Sequence, residues 1–146
     1  MIALDTNVLV YAHRPENPFH EKANGIVRSL AEGNDPWVIP WPVVHEFLAI
    51  VTHPKIFKEP TSTANALLQA SIWLAAPTVL MAAEIEGYFP VLQSLLQKSA
   101  VTGPKVHDAR IVAICISNGV SALFSADRDF SRFGTALTIE NPFLKS

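Results

Sequence analysis

Apolar positions along this chain follow two alternating rhythms. Short unbroken runs, Ile2 to Leu4, Trp37 to Ile39, Val79 to Met81, Ala122 to Phe124 and Leu137 to Ile139, predict buried strands. Between them the apolar residues recur at helical spacing. A helix is expected over Thr6 to Tyr11, with Asp5 or Thr6 near its cap. A second runs from His20 to Leu30 on Ala23, Ile26, Val27 and Leu30, and Gly33 stops it. Pro42 suits the first turn of a third, whose apolar face is Val43, Val44, Phe47, Leu48 and Val51. Lys55 to Pro60 reads as a loop. Thr63 to Ala75 predicts a helix with Ala64, Leu67, Leu68, Ile72 and Ala75 directed inward. Helices over Tyr88 to Lys98 and Val106 to Ser117 follow, separated by Gly103-Pro104, the second closed by Asn118-Gly119. Strands alternating with helices imply an α/β fold with a central, mostly parallel sheet flanked by helices.

The 146 residues suit one domain, residues 1–146, with enough chain to bury a core unaided. A content of 49% hydrophobic and 16% charged residues excludes a disordered tail or linker. No apolar run reaches the roughly 20 residues of a membrane span, and the most apolar stretch, Ile72 to Ala83, is broken by Pro77. Met1 to Asp5 shows no basic leader ahead of an apolar stretch, and Cys115 is the single cysteine, so no secretory signal and no internal disulfide are expected. Both point to a reducing cytoplasm. The net charge of -2 lacks the basic footprint of a protein that grips nucleic acid by charge alone.

The acidic residues change the picture. Asp5 follows the first strand, and Asp127 lies three residues past the strand ending at Phe124. Asp108 sits in the first turn of one helix, and Glu46 near the start of another. In a parallel sheet the C-terminal strand ends and the N-termini of crossover helices share one edge, where ligands bind. Four acids far apart in sequence are therefore expected to converge. Two carboxylates ~5 Å apart at an effective dielectric of ~20 repel by roughly 3 kcal/mol, about two pKa units. A divalent cation or trapped protons must relieve such a cluster. An all-oxygen donor set suits Mg²⁺ or Mn²⁺, and no Cys/His pattern argues for zinc. Each acid also has a simpler reading: Asp5 as a helix cap, Asp108 as a complement to a helix dipole, Asp127 or Asp129 as an Asx turn, Glu46 as a solvated side chain.

Four segments carry a resemblance. Leu4-Asp5-Thr6-Asn7-Val8-Leu9-Val10-Tyr11-Ala12, Val44-His45-Glu46-Phe47-Leu48, Val106-His107-Asp108-Ala109-Arg110-Ile111-Val112-Ala113 and Leu123-Phe124-Ser125-Ala126-Asp127-Arg128-Asp129-Phe130 resemble, in order, the four acidic motifs of PIN-domain nucleases. The similarity extends to Thr52-His53-Pro54-Lys55-Ile56-Phe57 and Asn141-Pro142-Phe143, and is nearest to the VapC-type toxins of toxin–antitoxin pairs. It implies a metal-dependent endoribonuclease, restrained by a cognate antitoxin and assembled as a homodimer. Asp5, Glu46, Asp108 and Asp127 match the family's acidic site, which would hold one or two Mg²⁺ or Mn²⁺ ions. Asn7 and Ser125 match an amide and a hydroxyl that orient it, and Asp129 an additional acid of varying role. The sequence departs from the pattern at Gly103-Pro104-Lys105, where relatives often carry a small or polar residue such as Asn. No role is expected of Lys105.

Arg14, Lys55, Lys58, Arg110, Arg128 and Arg132 are candidates for RNA backbone contacts, Arg128 and Arg110 foremost, with ordinary surface charge as the alternative. Trp37, Trp41 and Trp73 could stack on bases, although core packing is the commoner fate; Trp41, between Pro40 and Pro42, lies nearest the acidic edge. His45 and His107 adjoin Glu46 and Asp108 and are open to a phosphate-contacting or a structural role. Cys115, among Ile111, Val112, Ile114 and Ile116, reads as a buried inert thiol. The apolar excess of Thr61 to Ala83 suggests an interface. Two rivals remain. A haloacid-dehalogenase-type phosphatase also opens with an aspartate after its first strand but wants a second aspartate where this chain has Asn7. A degenerate, non-catalytic PIN module would bind RNA or a protein partner without cutting.

Overall fold

The computed structural model describes residues 1–144. Five strands, β1 (Ile2–Leu4), β2 (Trp37–Pro40), β3 (Val79–Ala82), β4 (Ala122–Phe124) and β5 (Thr138–Glu140), form one sheet in the order β3-β2-β1-β4-β5. Every pairing is parallel, so the sheet is wholly rather than mostly parallel. β1 lies at its centre: Ile2 is opposite Trp37 on one side and Ala122 on the other. Parallel neighbours cannot be joined by tight turns, so helices carry the chain across. These are α1 (Thr6–His13), α2 (His20–Glu32), α3 (Trp41–Val51), α4 (Thr63–Leu74), α5 (Tyr88–Ser99) and α6 (Val106–Ser117).

The central strands are apolar throughout because helices cover both faces. Ala3, Leu4, Trp37, Val38, Ile39 and Leu123 are buried, and α6 supplies Ile111 to Cys115 to the same core. The indole N–H of Trp37 donates to the Thr78 hydroxyl at 2.9 Å, and that hydroxyl donates to the Leu30 carbonyl at 3.0 Å. Burying the ring there leaves no unpaired donor. Trp73 is buried against Phe47, ring centroids 4.9 Å apart. Neither tryptophan is free to stack on a base.

The structure corrects the sequence reading in three places. The fifth strand starts one residue later than expected, because the Leu137 amide bonds the Phe133 carbonyl and closes a turn instead of joining the sheet. Two 3₁₀ segments, Gly103–Lys105 and Arg128–Phe133, occupy stretches left unassigned. The third correction reverses a helix face. On α4, Ala66, Ala70 and Trp73 point inward, while Ala64, Leu67, Leu68, Ile72 and Ala75 are exposed. Trp73 takes the inner face because its ring fills the space against Phe47, and the two alanines leave room for it. Among the described residues no helix is long and apolar enough to cross a membrane.

Candidate active site

The C-terminal ends of β1 and β4 lie side by side, Leu4 opposite Phe124, and the Asp5 amide donates to the Phe124 carbonyl at 2.9 Å. Both strands therefore release their next residues at the same edge. Asp5 occupies the N-cap position of α1, yet its carboxylate makes no capping bond. It turns instead to the partner strand. Asp5 Oδ2 accepts the Ser125 hydroxyl at 2.7 Å and the Asn7 side-chain amide at 3.3 Å. The same Asn7 amide nitrogen reaches Ser125 Oγ at 3.2 Å, and Asn7 Oδ1 accepts the Ala126 amide at 3.0 Å. Ser125 Oγ also accepts the Asp127 amide at 3.0 Å. This network ties the two strand ends together and fixes one Asp5 oxygen, leaving Oδ1 without a side-chain partner. It also accounts for Asn7 where a phosphatase would place a second aspartate.

The other acids approach from three directions. Glu46 stands on α3 and accepts the Thr6 hydroxyl at 2.9 Å. Asp108 lies in the first turn of α6. Asp127 caps the Arg128–Phe133 turn, its Oδ1 accepting the Asp129 amide at 2.9 Å. All four carboxylates line one cleft of about 310 Å³, together with Thr6, Asn7, Val10, Tyr11 and Asn17. Glu46 and Asp108 also border a second cleft with His45 and His107, and Asp127 a third with Arg128. The acidic cleft thus shares Glu46 and Asp108 with the second depression and Asp127 with the third.

Their ionisation reflects crowding. Burial pushes the Asp5 carboxyl up to about 7; hydrogen bonds from the Ser125 hydroxyl and the Thr6 backbone amide pull against this, and the charges of Glu46 and Asp108 add to it. Asp108 is raised by its partial burial and by the charges of Asp127 and Glu46, with Lys105 opposing. An all-oxygen set of this kind suits a hard divalent cation, which would relieve the repulsion. Among the described residues no three acidic, histidine or cysteine groups stand close enough to form a finished cage. The donor set still fits Mg²⁺ or Mn²⁺, since Mg²⁺ is commonly held by one or two carboxylates with water and phosphate completing its shell.

Several flanking residues take roles the sequence did not reveal. Lys105 ion-pairs with Asp129 and holds that carboxyl below its ordinary range. Thr6, which orients Glu46, carried no signal beyond following Asp5. Arg14 is no free RNA contact: it bonds Glu16, the Thr61 hydroxyl and the Glu59 carbonyl, and lies over the Phe57 ring at 4.0 Å. Arg110 is engaged with Glu84, whose carboxyl it lowers. Arg128 is exposed and has no ion pair among the described residues. Trp41 is exposed and stacks on His45, ring centroids 6.4 Å apart, and does not line the acidic cleft. Cys115 is buried, which pushes its thiol up to about 12 and leaves it inert.

A family model for the PIN domain matches residues 2–136. The chain belongs to the PIN-domain family. Among curated PIN-domain relatives, Ribonuclease VapC48 of Mycobacterium tuberculosis is 32% identical over 139 residues, covering 95% of both chains. Ribonuclease VapC43 of the same species is 34% identical over 133 residues, covering 91% of this chain and 90% of the relative. Two solved structures share the fold: Mycobacterium tuberculosis VapC20, described as a sarcin-ricin loop cleaving toxin (TM-score 0.66, 18% identity, 92% and 95% coverage), and FitAcB from Neisseria gonorrhoeae (TM-score 0.67, 21% identity, 98% and 99% coverage). PIN membership removes the phosphatase reading.

Proposed function

We propose that this PIN-domain chain, residues 1–146 acting as one nuclease domain, is a metal-dependent endoribonuclease and the toxin of a type II toxin–antitoxin pair. The observation that carries the reading is the meeting of four carboxylates from four separate elements in one cleft, in a chain whose relatives are named ribonucleases. In this reading Asp5 and Asp108 hold Mg²⁺ or Mn²⁺, and Glu46 and Asp127 complete its surroundings or a second ion's. The ion, when bound, supplies an activated water and offsets charge on the scissile phosphate. Ser125 and Asn7 hold Asp5 with one oxygen toward the cleft. Thr6 fixes Glu46, and either Glu46 or Asp127 takes the proton of the attacking water. Water adds to phosphorus, the bond to the leaving sugar oxygen breaks, and that oxygen takes a proton from solvent. Arg128, beside Asp127, offers a cation to the RNA backbone. The exposed Leu67, Leu68 and Ile72 on α4 support a homodimer or an antitoxin contact.

The test is cleavage of total RNA by partner-free protein with and without Mg²⁺ or Mn²⁺. The wild type yields discrete metal-dependent fragments, and Asp5→Asn and Asp108→Asn, folded by circular dichroism, yield none. Full activity in either variant refutes the site. A folded wild type that binds RNA but cuts nothing with either metal favours the non-catalytic module.

A further inference from the structure

The cleft that holds the acids is not lined by polar groups alone. Val10, Tyr11, Ile50, Ile56, Phe57 and Phe130 make up an apolar and aromatic wall beside the carboxylates, and Asn17 is among the polar side chains of the same cleft. A site that only gripped phosphate and metal would have no use for such a wall. Ile56 is 54% exposed, an apolar side chain left half in water beside a charged cluster. Its neighbour Phe57 has the Arg14 guanidinium over its ring, and Arg14 is itself fixed by Thr61 and Glu59. The Ile56–Phe57 stretch is anchored further by the amides of both residues, which donate to the His53 carbonyl at 3.1 Å. The Ile56–Phe57 stretch is therefore tied to its surroundings beside the cleft. Asn17 is oriented as well: its Oδ1 accepts the Phe19 amide at 2.8 Å, which commits the oxygen and leaves the two N–H donors without a side-chain partner among the described residues.

We propose that this wall is a nucleobase subsite adjoining the scissile phosphate. One flanking base lies against Ile56, Phe57 and Tyr11, and the Asn17 amide donates to an acceptor on its edge. The proposal rests on the ribonuclease reading and deepens it. A nucleobase fits the observations because it is flat and apolar on its faces, polar at its rim, and covalently tied one sugar away from a phosphate. Stacking contributes binding with little regard to sequence, whereas a fixed donor at the edge selects among bases.

The two contributions separate experimentally. Total RNA is digested with Mn²⁺ and the fragment ends are sequenced, using wild type, Ile56→Ala and Asn17→Ala, each checked for an unchanged melting temperature. The wild type shows a preference of roughly tenfold or more, at one nucleotide flanking the cut, for guanine or uracil, whose exocyclic carbonyl accepts the Asn17 amide, over adenine or cytosine, which present an amino donor there. Asn17→Ala keeps metal-dependent cleavage but reduces that preference to about twofold, while Ile56→Ala raises KM several-fold with kcat and the preference retained. Cleavage with a preference untouched in Asn17→Ala and a KM untouched in Ile56→Ala overturns the subsite and leaves the ribonuclease intact. If both variants cut like wild type but lose antitoxin binding, the wall belongs to the protein partner. A wild type that cuts nothing removes the ribonuclease reading and this one with it.

Discussion

Asp5 concentrates the conflict in this molecule. It is 4% exposed, faces Glu46 and Asp108, and its carboxyl sits at about 7 instead of the ordinary 3.8. A carboxyl raised in the folded state binds its proton more tightly there than in the unfolded chain. The associated stability is complete below about pH 4 and is lost as pH rises through 7, to a total on the order of 4 kcal/mol. Metal-free wild type is therefore expected to lose stability steadily between pH 4 and 7 in urea unfolding. Asp5→Asn lacks that contribution, and its curve should cross above wild type near neutrality. Parallel pH profiles for the two proteins would refute the buried, proton-holding Asp5. Asp108 is raised in the same direction, so the wild-type slope does not vanish entirely in the variant.

At the scale of elements, what could be read from sequence depended on whether one residue or a whole face decided the outcome. The buried strands were legible because an apolar run ended at a turn signal, with Asp5 one residue and Asp127 three residues beyond it, and the helices of Glu46 and Asp108 because their apolar residues recur at helical spacing. Parallel topology then brought Asp5 and Asp127 to one edge. The α4 face was misread because spacing counted Leu67, Leu68 and Ile72 as a core stripe. The competing stripe of Ala66, Ala70 and Trp73 has less apolar mass per residue but carries the one ring that Phe47 can pack. Tertiary packing overrode local amphipathicity. Lys105 and Arg14 were illegible for a different reason: their partners, Asp129 and the stretch ending at Thr61, are distant in sequence. The helix inversion makes opposite predictions for two large residues, Leu68 and Trp73, on the same helix. Trp73→Ala should cost about 3–5 kcal/mol in urea denaturation, and Leu68→Ala under about 0.5 kcal/mol in the monomer. Equal losses would restore the original face. In the proposed homodimer, Leu68→Glu should leave the monomer folded and lower the mass seen by light scattering.

For the whole molecule the acidic edge is a cost carried by the rest of the fold. The sheet, the core beneath it and the Asn7–Ser125 tie hold four carboxylates together in a protein of net charge -2. Such an arrangement gains stability from any cation that binds the folded form alone. At a metal concentration of 100 times Kd that gain is about 2.7 kcal/mol, which for a chain of this length raises the melting temperature by roughly 5–10 °C. Because Asp5 must release its proton to act as a ligand, the gain should be larger at pH 8 than at pH 6. Adding Mn²⁺ to metal-free wild type at pH 8 is therefore expected to raise the melting temperature, and chelation to reverse the rise. Asp5→Asn should show little of either. A rise of the same size in both proteins would place the ion elsewhere and separate the acidic cleft from metal binding. A rise confined to wild type, growing with pH, would tie the proton on Asp5, the ion and the stability of the sheet into one equilibrium.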